Sequence, residues 1–206
     1  MPDKPMVSIV VLTCNRPGMF RDCLDSLLVQ EYPEERYEVV VIDSSSTGKI
    51  KELLEKYRGR TSPRIHYHYQ RRQGIPAARN LGIRNSSGTY VCFIDDDCIA
   101  KEDWLRSLIS SYHDDRDGGI QGKIESLQSE SIAQKYGDYL FTRENIRDGD
   151  ILTDEDGPIT CNALYRREVL EDVGGFDEQI RYLEDLDIAF RIRRIGKELR
   201  YAENAV

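Results

Sequence analysis

The chain has 206 residues, 39% hydrophobic and 32% charged, which suits one sizeable folded α/β domain or two small ones and excludes a disordered segment. Lys and Arg number 29 against 37 Asp and Glu, and the net charge of −8 argues against a binder of nucleic-acid backbone. Five cysteines without C-x-x-C spacing point to reduced thiols rather than a zinc site or disulfide framework, with Cys14 and Cys92 read as small core residues.

Val7–Leu12 is a nearly unbroken apolar run, as in a strand covered on both faces. Pro17 suits a first helical turn, and Phe20, Cys23, Leu24, Leu27 and Leu28 share one face of a helix reaching about Val29. Val39–Ile42 predicts a second buried strand, Ile50–Tyr57 a second helix and Ile65–Tyr69 a third strand. Ile75–Arg84 predicts a third helix and Tyr90–Ile94 a fourth strand. This alternation predicts a mostly parallel, doubly wound sheet whose ligands gather beyond the C-terminal strand ends. Thr13 to Asn15, Asp43 to Ser46 and Asp95 to Asp97 all fall at such ends.

The second half is less regular. Glu102–Tyr112 predicts a helix, Gly119–Ser126 a strand, the acidic stretch 142–158 a mobile loop, and Ile159–Tyr165 a strand. A short helix to Val173, a turn at Gly174 and Gly175, and a helix from Leu183 to Ile195 complete the chain. No apolar run approaches the ~20 residues of a membrane helix, and the first five residues carry no signal-peptide pattern.

Four clusters carry candidate chemistry. Asp95, Asp96 and Asp97 repel one another, and desolvating them at a buried strand end without a cation would be costly. In an extended segment Asp95 and Asp97 point the same way, about 6.6 Å apart, so one can hold Mg²⁺ or Mn²⁺ while the other reaches a ligand. Asp43, followed by three serines, can accept hydrogen bonds from a ligand or cap its own turn. Arg79, on the helix opened by Gly74 and Pro76, can approach a base or phosphates, or serve as an ion-pair partner. On a helical wheel Asp185 shares the stripe of Ile188, Ala189, Ile192 and Ile195, with Glu184 on a flank and Asp187 opposite. An acid on the apolar stripe fits a general base better than simple complementation of the helix dipole.

Together these segments resemble the family 2 glycosyltransferases of the GT-A fold. The likeness runs through Thr13-Cys14-Asn15-Arg16, Val40 to Thr47, Gly74 to Gly82, Phe93 to Asp97, Asn162 to Arg167, Gly174 to Glu178 and Glu184-Asp185-Leu186-Asp187. It implies one domain over residues 1–206, with a Rossmann-like nucleotide-binding half and an acceptor-side half. It also implies an inverting transfer from a nucleotide-diphosphate sugar, a UDP-sugar first, to a hydroxyl-bearing acceptor, assisted by Mn²⁺ or Mg²⁺. Thr13, Asn15, Asp43, Arg79, Asp95 and Asp96 would bind the donor and Asp97 the metal. Asp185 would be the base, with Gly174, Gly175, Phe176 and Glu184 on the acceptor side. Cytoplasmic placement is expected, with peripheral association at the inner membrane face in a longer form.

The chain departs from the family pattern in three ways. Cys14 replaces an aromatic, and Ser44 and Ser45 replace an Asp/Asn-Gly pair. The usual metal-binding histidine would fall just beyond Tyr201–Val206, so either a C-terminal truncation or an incomplete metal site is expected. A sugar nucleotidyltransferase would need a Gly-rich basic loop after the first strand, and a dinucleotide oxidoreductase would need G-x-G-x-x-G there; neither is present. A non-catalytic nucleotide-sugar-binding domain is the reading from another class, and the joint presence of Asp97 and Asp185 argues against it.

Overall fold

The computed structural model describes residues 6–126, 146–153, 156 and 159–206. Seven strands form one sheet: β1 (Val7–Thr13), β2 (Tyr37–Asp43), β3 (Arg64–Tyr69), β4 (Tyr90–Asp95), β5 (Asp117–Gly122), β6 (Asn162–Arg166) and β7 (Glu198–Ala202). Their order is β3-β2-β1-β4-β6-β5-β7. All neighbouring pairs are parallel except those made by β6, which runs antiparallel to both β4 and β5.

Among the described residues six α-helices cover the sheet: α1 (Pro17–Leu27), α2 (Lys49–Leu54), α3 (Ile75–Asn85), α4 (Trp104–Ser110), α5 (Arg167–Asp172) and α6 (Glu184–Arg194). Side chains alternate across each strand, so Val7, Ile9 and Val11 meet one layer while Val10 meets the other. The first layer packs Phe20, Leu24, Ile50, Trp104 and Leu108 from α1, α2 and α4. The second packs Ala78, Ile83, Val169, Ile188 and Ile192 from α3, α5 and α6. Burial on both faces explains why β1, β2 and β4 read as apolar runs rather than alternating ones.

Several boundaries differ from the sequence reading. The fourth helix starts at Trp104, not Glu102, and β5 ends at Gly122 instead of Ser126. Strand β6 begins at Asn162, leaving Ile159 to Cys161 as a connecting segment. Strand β7 was missed although Glu198 to Tyr201 alternates polar and apolar residues, because so short a run carries little periodic signal. The expected acidic loop falls partly outside the described residues. Its described part is tied down: Gly149 N donates to Tyr201 O, Tyr201 N to Asp150 O and Leu152 N to Leu199 O, which caps the free edge of β7. Cys14 is half-buried rather than core, whereas Cys23 and Cys92 are fully buried. Among the described residues no helix is long and apolar enough to cross a membrane.

Candidate functional site

Parallel register brings three strand ends to one edge: Thr13 lies beside Asp43, and Leu12 beside Asp95. Antiparallel β6 pairs Asn162 with Ile94, so the segment entering β6 arrives at the same edge. The loops there are cross-linked. Asn15 N donates to Ser45 Oγ (2.7 Å), Ser46 N to Asn15 Oδ1 (3.1 Å), and Ser44 N to Thr13 O (2.9 Å). Asn15 adopts a positive φ of 58°, a conformation that asparagine tolerates better than most residues. Asp43 is 1% exposed; its Oδ1 accepts from Ser45 N (2.8 Å) and its Oδ2 from the Tyr67 hydroxyl (2.9 Å). The turn-capping role is therefore real, and each carboxylate oxygen keeps a lone pair for a further donor.

The three successive aspartates have different surroundings. Burial pushes the Asp95 carboxyl up to about 6; Arg79 opposes that rise, and the charges of Asp97, Asp185 and Asp96 add to it. Asp96 is fully buried and is also shifted upward by burial, a rise that Thr13, Arg16 and the Cys14 amide oppose. Asp97 is the exposed member. Arg16, to which the sequence reading gave no role, lies against Asp96 Oδ1 and donates to Asp97 Oδ2 (2.7 Å). One guanidinium faces three carboxylates, so negative charge is left over.

A divalent cation fits this arrangement only when shared with a ligand. Among the described residues no three His, Cys, Asp or Glu side chains converge into a cage. Mg²⁺ and Mn²⁺ sites of one or two carboxylates completed by phosphates are, however, common, and a single Arg16 guanidinium shared by Asp96 and Asp97 leaves the edge short of positive charge.

Across the cleft stands the start of α6. Leu183, 69% exposed, caps the helix with a positive φ of 65°, a strained conformation for a branched side chain. Asp185 Oδ1 accepts from Arg79 Nη1 (2.6 Å) and from Thr160 Oγ1, and the same Nη1 reaches Glu184 Oε1 (2.9 Å). Asp185 and Asp95 come to the same edge: Thr160, bonded to Asp185, lies two residues before Asn162, which pairs with Ile94 next to Asp95.

The helical wheel misplaced two acids here. Glu184, put on a flank, is the deeper residue because Arg79 pulls it inward. Asp187 does not point into open solvent; Arg191 bridges it at 2.9 Å and carries the carbonyl of Gly175 at 2.7 Å. Arg79, expected beside the nucleoside, is 4% exposed and engaged with Glu184 and Asp185, its guanidinium 5.2 Å over the Phe176 ring. Phe176, expected on the acceptor side, is 2% exposed and packs edge-on to Phe93, so it shapes that side only through Arg79. Gly174 and Gly175 both have positive φ, and a Cβ on Gly175 would sit 2.6 Å from Asn80 Oδ1, the atom that receives Phe176 N. Outside this turn a groove of about 720 Å³ runs between Asn80, Arg84, Gly174 and Glu178. Thr160 escaped the sequence reading because a lone threonine in a short connection carries no periodic signal.

Comparison with known proteins agrees with this fold. Residues 8–174 match glycosyl transferase family 2. The chain is 26% identical over 204 residues to glycosyltransferase AglE of Haloferax volcanii, covering 98% of this chain and 66% of that protein. It is 29% identical over 179 residues to the poly(ribitol-phosphate) beta-N-acetylglucosaminyltransferase TarS of Staphylococcus aureus, covering 86% of this chain and 30% of TarS. The chain thus spans less than two-thirds of either relative. A TarS structure in complex with UDP-GlcNAc superposes with a TM-score of 0.78 at 19% identity, over 97% of this chain and 56% of that one. Mannosyltransferase PcManGT of Pyrobaculum calidifontis, in complex with GDP-Man and Mn²⁺, gives 0.76 at 21% identity over 100% of this chain and 56% of that one. These likenesses establish the GT-A fold. With the family match running through both the strand-end aspartates and the glycine turn, the chain belongs to glycosyl transferase family 2.

Proposed function

We propose that the chain is a single catalytic domain of an inverting glycosyltransferase. It would move a sugar from a nucleotide-diphosphate donor to an acceptor hydroxyl, with Mn²⁺ or Mg²⁺ held on Asp97. The observation that supports this reading is the strand register that gathers Thr13, Asp43 and Asp95 at one edge, with Asp185 held by Thr160 at the entry to β6, which pairs beside Asp95. UDP-sugars come first as donors because TarS is seen with UDP-GlcNAc; the GDP-Man complex of PcManGT makes GDP-sugars the next class to test.

In this reading Asp43, Thr13 and Asn15 line the nucleoside, and the spare lone pairs of Asp43 receive a base N–H. Asp95 takes a ribose hydroxyl, and Asp96 holds Arg16 in place beneath the diphosphate. The cation, when bound, offsets negative charge on the departing nucleoside diphosphate. Asp185 removes the proton of the acceptor hydroxyl as that oxygen attacks the anomeric carbon from the face opposite the diphosphate. One displacement inverts the anomeric centre. The Gly174–Gly175 turn and Glu184, through Arg191 and Arg79, set the acceptor side of the cleft.

The test uses the intact protein. Nucleoside diphosphates with Mn²⁺ should raise its melting temperature, and ligand at 100 times its dissociation constant adds ~2.7 kcal/mol. Asp185→Asn should keep that shift while transfer falls by ~10²–10⁴-fold. Transfer at the unaltered rate would remove Asp185 as the base, and the absence of any nucleotide shift would remove the donor site.

A further inference from the structure

Taking Asp185 as the base, we propose that Thr160 is a positioning residue that decides which oxygen of Asp185 receives the acceptor proton. Two donors from different parts of the chain, Thr160 Oγ1 and Arg79 Nη1, converge on Oδ1. Oδ2 accepts no hydrogen bond from the described residues and is not among the buried oxygens lacking a partner, so it opens to the cleft. A carboxylate can rotate about its Cβ–Cγ bond and exchange its oxygens; two donors on one oxygen remove that freedom. Oδ2 is left as the basic atom facing the acceptor.

Thr160 is well placed to impose this order. It is fully buried, two residues before Asn162. Asn162 accepts from Trp104 Nε1 (2.8 Å) and donates to Lys123 O and Ala205 O (2.9 Å each), which fixes the start of β6. The hydroxyl therefore cannot follow Asp185 if the carboxylate turns. The sequence reading had no means of seeing this pairing, because Thr160 and Arg79 lie 25 and 106 residues from Asp185.

Thr160→Val keeps the shape of the side chain and removes the donor; Thr160→Ser keeps the donor. Nucleotide release from UDP-N-acetylglucosamine, with GDP-mannose run beside it, Mn²⁺ present and water as acceptor, serves as the assay. In Thr160→Val kcat should fall about tenfold to a hundredfold with the donor KM unchanged. Thr160→Ser should recover kcat to within about threefold. Wild-type kcat in Thr160→Val, while Asp185→Asn is inactive, overturns the Thr160 assignment and leaves the base reading intact. Wild-type kcat in Asp185→Asn overturns the base reading itself. An equal kcat loss in both Thr160 variants with equally lowered melting temperatures would mark a purely structural residue and end the proposal.

Discussion

At the scale of single residues, the site is a problem of unbalanced charge. Asp96 is buried and Asp95 half-buried, both with carboxyls shifted upward, and Arg16 is the cation placed against Asp96 and Asp97. Asp97 differs from its neighbours in being exposed, so it can exchange its hold on Arg16 for a cation brought with a ligand. We expect Asp97→Ala to weaken Mn²⁺-dependent binding of UDP by tenfold or more and to leave metal-free binding unaltered. Titration calorimetry with and without Mn²⁺ reads both, and equal losses in the two conditions would show that Asp97 does not act through the cation. Thr160 and Arg79 do the opposite job across the cleft, holding one carboxylate by one oxygen. Neither role follows from residue type. Aspartates at a strand end announce a charged edge, but their order of burial is set by neighbours from other strands.

At the scale of elements, helix α3 is pressed unusually close to the sheet. A Cβ on Gly82 would lie 2.4 Å from Val10 Cγ1, inside a buried strand with little room to move. Alanine would gain about 1 kcal/mol of helix propensity, but the overlap costs roughly 1–3 kcal/mol. Gly82→Ala should therefore lower stability, as followed by urea unfolding. A stabilised variant would mean that α3 can lift off the sheet freely. The same helix carries Arg79 to Asp185 and Asn80 to the Gly175 turn, so its seating aligns both sides of the cleft. The amphipathic pattern of α3 was readable from the small residues Ala77, Ala78 and Gly82. Helix α6 was harder to orient, since the wheel ranks positions by apolarity and cannot know that a buried arginine waits for Glu184.

At the scale of the whole molecule, the edge opposite the site is locked by one carboxylate. Glu38 Oε1 accepts from Ser8 Oγ (2.6 Å), Ser87 N (2.6 Å) and Ser87 Oγ (2.8 Å), joining β2 to β1 and to the turn before β4. Burial raises the Glu38 carboxyl, but these donors outweigh it and hold it below its ordinary 4.5. Asp117 is likewise held low: burial raises it, while the amides of His113 and Asp114 and the Arg200 guanidinium prevail. A carboxyl lowered in the folded state stabilises fully above its unfolded value and loses that contribution as pH falls through the folded one. The contribution of these two groups should thus be flat above about pH 5 and fall below pH 4.5, while Asp95, raised to about 6, opposes folding increasingly as pH rises from about 4 to 6. Glu38→Gln should cost roughly 2 kcal/mol at pH 7 and progressively less toward pH 3, measured as urea midpoints across that range. A cost independent of pH would place the stabilisation in packing rather than in the ionised group.

The sequence by itself determined the alternation of β1 to β4 with α1 to α3 and the gathering of Thr13, Asp43 and Asp95 at one edge. Those follow from local periodicity together with the handedness of parallel crossovers, which need no knowledge of distant partners. Tertiary structure alone decided that β6 runs antiparallel, that β7 closes the sheet, that Arg16 spans Asp96 and Asp97, and that Thr160 meets Asp185. Periodicity tells which face of an element is covered, but not what covers it. Charges and hydroxyls from far along the chain find each other only once the sheet has brought its ends together.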